Sequence, residues 1–139
     1  MLVSNLLNSF QIDQLSVNIY PSEVELAQGA AQIVREYLIS ILDQQTEARL
    51  LLATGNTQIQ FLDALIALGG VDWSRLVLFH LDEYMGIKAE NTASFCYYLR
   101  ERVEKKVKPK QFYYIKGDAT EPLIECDRYA NLLNRQPID

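Results

Sequence analysis

Apolar residues fall along this chain in two rhythms, short unbroken runs and longer stripes at helical spacing. Leu50–Ala53 is a run that breaks at the small polar turn Thr54–Thr57. Apolar residues then recur at Ile59, Leu62, Ile66 and Leu68, close to the i, i+3/i+4, i+7 spacing of an amphipathic helix. A second run, Leu76–Leu81, ends in Asp82, Glu83 and Tyr84. Strand, turn, helix, strand is the unit of a parallel α/β sheet. Its two polar features lie where such sheets keep their chemistry, at the carboxyl ends of strands.

The flanking segments fit the same plan. Residues 1–14 mix apolar and amide side chains without a clear period and read as an irregular arm or short helix, leaving 15–139 as the α/β domain. Val17–Tyr20 is a brief β-type run stopped by Pro21. Ser22 with Glu25 three residues on forms a capping-box pattern, and Ala27, Ala30, Ala31, Val34, Leu38 and Ile41 make the stripe of the helix it opens. That helix is expected to end in the polar cluster 43–47. Ser94–Val107 reads as a helix with Phe95, Tyr98, Leu99 and Val103 inward, ended by Pro109. Phe112–Ile115 is a fourth short strand, and Glu121–Asn134 a last helix with Leu123, Ile124, Tyr129, Leu132 and Leu133 apolar. Pro137, Ile138 and Asp139 read as the lead-in to another strand. A helix stripe with no following strand leaves a sheet edge or helix face uncovered.

Composition narrows the class. With 139 residues, 49% hydrophobic and 22% charged, the chain has the makings of one globular domain with a real core. A net charge of −5 gives no basic footprint for nucleic acid. No stretch approaches transmembrane length, and the amino terminus lacks the basic n-region of a signal peptide, so no membrane partner and a cytoplasmic location are expected. The two Cys each lie in a helix-like segment and fit buried thiols of a reducing compartment. With one His and no clustered ligands, neither a metal nor another cofactor is expected.

The turn Thr54, Gly55, Asn56, Thr57 joins a strand to a helix. Gly55 tolerates positive φ, and the free amides of Asn56, Thr57 and Gln58 at a helix N-terminus, with the Thr hydroxyls, suit an anion such as phosphate. It is not a Walker loop or a dinucleotide fingerprint, since no Lys follows and only one Gly is present. The plain alternative is a capped turn with Thr57 as N-cap. Along the second strand, His80 and Asp82 share a face and Glu83 points the other way. A carboxylate at the end of a buried strand can serve as a general base if burial raises its pKa. Equally, Asp82 or Glu83 could cap the next helix, and His80 could be a satisfied strand residue.

Taken together, Ala53-Thr-Gly-Asn-Thr57 and Phe79-His-Leu-Asp-Glu-Tyr-Met-Gly86 resemble the glucosamine-6-phosphate deaminase family, also called glucosamine-6-phosphate isomerases, which belongs to a wider group with the 6-phosphogluconolactonases. The resemblance runs from about Val17 to the last residue, and Asp72-Trp-Ser-Arg also fits it. The Asp-Glu-Tyr-x-Gly form is like the deaminases; lactonases usually carry Asp-Glu-Arg, where this chain has Tyr84. What the resemblance implies is a Rossmann-like three-layer α/β sandwich with a mostly parallel sheet. It also implies that Thr54, Gly55, Asn56 and Thr57 hold a sugar phosphate. Asp82 becomes the base that moves a proton between C2 and C1 of the open-chain sugar, with Glu83 and His80 as supporting groups. Gln58 stands where the family normally has Pro, which costs some rigidity at the helix start.

Family members also carry a second half with a Gly-rich strand end, an Asp-Gly-His element, a nearby Glu, and Arg and Lys groups that complete the phosphate site. None of these is in the present sequence, so the chain resembles the amino-terminal half, incomplete as a catalyst alone. The expected partners are a phosphorylated amino sugar and either a second copy of the chain or a complementing carboxyl-terminal half. The alternatives are a non-catalytic sugar-phosphate-binding module or degenerate remnant, and a 6-phosphogluconolactonase-like hydrolase.

Overall fold

The computed structural model describes residues 6–139. Its elements run β1 (Asn8–Ile12), β2 (Leu15–Ile19), α1 (Glu23–Gln44), β3 (Ala48–Leu52), α2 (Asn56–Leu68), a 3-10 turn (Trp73–Arg75) and β4 (Leu76–His80). There follow α3 (Phe95–Leu99), a π-helical turn (Arg100–Glu104), α4 (Lys105–Val107), β5 (Gln111–Phe112) and α5 (Pro122–Leu133). Ser22 caps α1 as its sequence pattern predicts, accepting the Glu25 amide while its hydroxyl donates to the Glu25 carboxylate. At the far end Arg75 donates to the Leu42 and Thr46 carbonyls at 2.7 and 2.9 Å, so the Asp72–Arg75 segment ties down the end of α1.

Pleating sorts the core into two faces. The parallel sheet has the order β3-β4-β5, with β3 and β4 in register from Ala48↔Leu76 to Leu52↔His80. Leu76 and Leu78 join Ala48, Leu52, Leu38, Leu62, Leu65, Leu99 and Val103 in the cluster under α1, α2 and the α3–α4 rod. Val77 and Phe79 point the other way, to Tyr129 and Leu132 of α5. Helices on both faces of a parallel sheet make the three-layer α/β sandwich that the motifs imply.

Several elements depart from the sequence reading. Residues 1–5 of the expected arm lie outside the described residues, but Asn8–Ile12 is a strand, paired antiparallel with β2 from Asn8↔Ile19 to Ile12↔Leu15. A two-residue turn with Asp13 at φ 51° closes this hairpin. Its strands are almost wholly exposed, and it meets α1 through Tyr20, whose ring lies so close to Gly29 that a Cβ there would sit 2.5 Å from Cζ. The fourth strand is only Gln111–Phe112, because the chain veers from β4 after Tyr113. In α5, Leu123 and Ile124 are exposed while Glu125 turns inward, accepting the Lys116 amide and an Arg128 salt bridge. Arg128 holds the Glu125 carboxyl below its ordinary range. Cys96 is buried as expected; Cys126 is exposed, on the uncovered side of α5.

The third layer is fastened by one buried cation. Arg49, 5% exposed, sits over the Phe79 ring at 4.7 Å and donates to the carbonyls of Leu132 (2.7 Å), Leu133 (3.2 Å) and Pro137 (3.5 Å). Its guanidinium thus satisfies the end of α5 at the favourable pole of the helix dipole. The Arg49 backbone meets Asp139, accepting that residue's amide at 3.0 Å and donating to its carboxylate at 2.8 Å. The lead-in at 137–139 therefore runs along the edge of β3 away from β4. Replacing Arg49 by Ala leaves carbonyls unpaired beneath α5, and is expected to cost about 3 kcal/mol and roughly 10 °C in Tm. Thermal unfolding followed by circular dichroism checks this; a shift below about 2 °C would show that α5 is held by its apolar contacts alone.

Candidate active site

The register of β3 and β4 decides where the two motifs lie. Leu52 pairs with His80, and the Leu81 amide donates to the Leu52 carbonyl at 3.1 Å, one rung further. Residues 53–57 and 81–83 therefore leave neighbouring strands at the same, carboxyl end of the sheet. Asp139 lies beside β3 on the side away from β4. Open α/β sheets bind ligands beyond the carboxyl ends of their strands.

Gly55 makes the turn possible. Its φ of 111° is disfavoured for any residue with a Cβ, although the space around it is open. Gly55, not Thr57, is the N-cap of α2, and it offers no side-chain cap. The Gln58 amide is spent on the Gly55 carbonyl at 3.1 Å. Among the described residues no acceptor receives the amides of Asn56 and Thr57, so two N–H groups, not three, remain for an anion. Thr54 is half-buried, and Asn56 and Thr57 are exposed. Tyr98 braces the turn from α3, its hydroxyl donating to the Gly55 carbonyl at 3.1 Å. Burial raises the Tyr98 pKa, keeping this donor protonated. The sequence reading placed Tyr98 only on the inward face; nothing in the helical period marks its hydroxyl.

His80, Asp82 and Glu83 have different surroundings. His80 is fully buried; its Nε2 accepts the Ile115 amide at 2.9 Å and its Nδ1 has no partner. Burial lowers its pKa, against smaller raising effects from the Asp82 carbonyl and the two carboxylates. Glu83 caps α3, its carboxylate accepting from the Ser94 hydroxyl (2.6 Å) and the amides of Tyr84, Cys96 and Phe95 (2.9, 2.9 and 3.1 Å). Burial works against ionisation, yet these donors together bring its pKa down to about 2. Asp82 is exposed, and among the described residues nothing donates to its carboxylate. Of the three, only Asp82 presents uncommitted oxygens to solvent.

Two depressions flank this end of the sheet. One, of about 680 Å³, lies between α1 and the first turns of α2 and is lined by Glu23, Leu26, Ala30, Asn56, Thr57 and Phe61, among others. A second, of about 650 Å³, lies under the loop Tyr84–Asn91. Neither holds both the Gly55 turn and Asp82; what those two share is the carboxyl end of adjacent strands. Among the described residues no three His, Cys, Asp or Glu side chains gather as metal ligands, and no helix is long and apolar enough to cross a membrane.

Comparison with known proteins bears on family and fold. Residues 21–138 match the family described as glucosamine-6-phosphate isomerases/6-phosphogluconolactonase. A glucosamine-6-phosphate deaminase of Streptococcus suis is 31% identical over 125 residues, covering 90% of this chain and 51% of that protein. One from Listeria monocytogenes is 36% identical over 88 residues, 63% of this chain and 37% of that protein. The chain thus spans between about a third and about half of the length of these relatives. Among solved structures, a monomeric glucosamine-6-phosphate deaminase superposes with a TM-score of 0.73 at 26% identity, over 81% of this chain and 47% of the other. A 6-phosphogluconolactonase from Plasmodium vivax superposes at 0.79 over 94% of this chain and 48% of the other, and at 14% identity it speaks for the fold alone.

The Glu83 cap and the buried His80 both tie stability to pH. Glu83 is ionised in the folded chain down to about 2 against an ordinary 4.5, so its contribution is complete above pH 4.5 and is lost as pH falls from there to about 2. His80 takes up a proton below about pH 6.5 in the unfolded chain but resists it when folded, so acid disfavours folding through this group too. Glu83→Gln is expected to lower stability at pH 7 by about 2 kcal/mol. It should also flatten the dependence of Tm on pH between 4.5 and 2. Calorimetric scans across that range decide it: an acid limb as steep as wild type means the cap is not what titrates.

Proposed function

The chain belongs to the glucosamine-6-phosphate isomerase/6-phosphogluconolactonase family, and from that premise we propose that it provides the phosphate turn and the proton-transferring carboxylate of a glucosamine-6-phosphate deaminase-type isomerase. In this reading Thr54, Gly55, Asn56 and Thr57 receive the phosphate through the amides of Asn56 and Thr57 and the Thr hydroxyls. Asp82 removes the proton from C2 of the open-chain amino sugar and returns it to C1. The resulting C2 imine is hydrolysed, giving the ketose phosphate and ammonia. A general base in this position contributes on the order of 10²–10⁴ in rate. The observation that carries the proposal is the shared carboxyl end of β3 and β4, with Asp82 free there while Glu83 is fully engaged.

Tyr84 favours the deaminase reading over the lactonase one, because it stands where the sequence pattern of lactonases has Arg; its ring packs tilted against Phe95 at 5.0 Å between centroids. The groups still needed for ring opening and for the rest of the phosphate site are assigned to a complementing carboxyl-terminal half. A cytoplasmic location and self-association belong to the same proposal.

Ammonia release from glucosamine 6-phosphate, measured on this chain mixed with the carboxyl-terminal half of a deaminase, is expected to exceed that of either part, and Asp82→Asn is expected to reduce it on the order of 10²-fold or more. No release from the mixture would sink the enzymatic reading. Calorimetry with glucosamine 6-phosphate on the chain alone is expected to show weak binding that Gly55→Val abolishes, since Val cannot adopt the φ of 111° without moving the amides. Binding indifferent to that change would mean that the phosphate lies elsewhere.

A further inference from the structure

We infer that His80 is a positioning residue for Asp82, locked as the neutral Nδ1–H imidazole by the Ile115 amide and anchored through its own backbone by the Tyr129 hydroxyl. The inference rests on the reading of Asp82 as the proton acceptor, and it concerns what holds that carboxylate in place and free of a cation.

β4 and β5 part early. Their ladder ends after Leu78↔Phe112, with one further bond from the Tyr113 amide to the Leu78 carbonyl at 2.8 Å. Beyond it the N–H and C=O of His80 face a strand that has moved away, and buried groups of this kind must be paired. The Tyr129 hydroxyl from α5 fills the gap, accepting the His80 amide and donating to the His80 carbonyl, both at 2.9 Å. Its pKa is pushed up to about 12 by burial, so the donor stays protonated. On the other strand the stray Ile115 amide is received by His80 Nε2 at 2.9 Å.

A ring nitrogen that accepts an N–H carries no proton, so the neutral imidazole holds its hydrogen on Nδ1. Protonating the ring would turn Nε2 into a donor aimed at another donor. The titratable groups around the ring are Asp82 and Glu83 beyond β4, Cys96 on α3, Tyr114 beyond β5 and Tyr129 on α5. Cys96 and Tyr114 are both shifted upward, chiefly by burial, and stay neutral. His80 therefore brings no positive charge to the end of β4. A cation there would pair with the Asp82 carboxylate two residues on and weaken it as a base.

His80 is the only His of the chain, so one imidazole signal reports on it. Long-range ¹⁵N–¹H spectra of the 139-residue chain are expected to show the Nδ1–H tautomer unchanged as the pH is lowered from about 8 through the ordinary imidazole value of 6.5. An Nε2–H pattern, or titration near the ordinary value of 6.5, overturns the inference. Hydrogen exchange supplies the second readout. Tyr129→Phe and His80→Ala are each expected to speed exchange of the Leu81 amide, the last rung before Asp82, by about tenfold, leaving Leu65 in α2 unchanged. His80→Gln, whose amide oxygen can still accept from Ile115, is expected to restore exchange to within about threefold of wild type. If His80→Ala does not fold, Tyr129→Phe decides alone, and wild-type exchange at Leu81 in that variant overturns the inference. Sugar-phosphate binding is scored separately at the amides of residues 54–57; its failure with the tautomer and exchange results intact sinks the substrate reading and leaves the assignment of His80 standing.

Discussion

The last rung of the β3–β4 ladder, from the Leu81 amide to the Leu52 carbonyl, is the constraint on which the candidate site depends. A parallel pairing admits no slip of one residue here, because a slip would turn Leu76 and Leu78 to the α5 face and Val77 and Phe79 to the other. The two core clusters thus fix the register, and the register fixes which residues emerge together beyond the sheet. About 13 Å of strand, at about 3.3 Å per residue, separate the two ends of the five-residue strands. Chemistry that needs both motifs is confined to the carboxyl end.

On the other flank of β4 the backbone ladder fails, and side chains replace it. Tyr129 pairs both main-chain groups of His80, and His80 in turn pairs the Ile115 amide. The Cys96 thiol donates to the Ile115 carbonyl at 3.2 Å, closing the same gap from α3. Each bond satisfies a buried group that would otherwise cost about 1–3 kcal/mol. The strands are thereby held apart at their ends without loss of order. A regular fourth strand through Ile115 would have removed the need for His80 and Tyr129 alike.

This is also where the sequence stops being legible. The fold could be read from periodicities because they follow from which face is buried: the α1 stripe, the β4 run and the Ser22 cap appear where the pattern puts them, and β3 (Ala48–Leu52) overlaps its expected run Leu50–Ala53 but starts earlier. The turn at Gly55 was legible too, since a Gly after an apolar run and before a helical stripe has few other uses. What could not be read were contacts between residues far apart in the chain. Tyr129 meets His80 across 49 positions, and Tyr98 meets Gly55 across 43. Local pattern errs for the same reason at Leu123 and Ile124, apolar residues on a helix with nothing above them, and at Asn8–Ile12, where pairing with β2 overrides weak strand propensity.

The neighbours of Asp82 explain why the pair Asp82–Glu83 is chemically unequal. Glu83 gives all its basicity to the start of α3: four donors hold its charge, and a carboxylate brought to about 2 is a poor acceptor for a carbon-bound proton. His80 is committed on its accepting nitrogen and buried, so it neither offers a free acceptor nor places a charge beside Asp82. Asp82 stands between two fixed residues with its own oxygens unengaged. Pinning both sides of a residue restricts its backbone while leaving its side chain available, which is the preorganisation that proton transfer rewards. Moving the carboxylate one position on would place it in the helix cap, and two positions back in the core; at 82 the strand end leaves a carboxylate in the open.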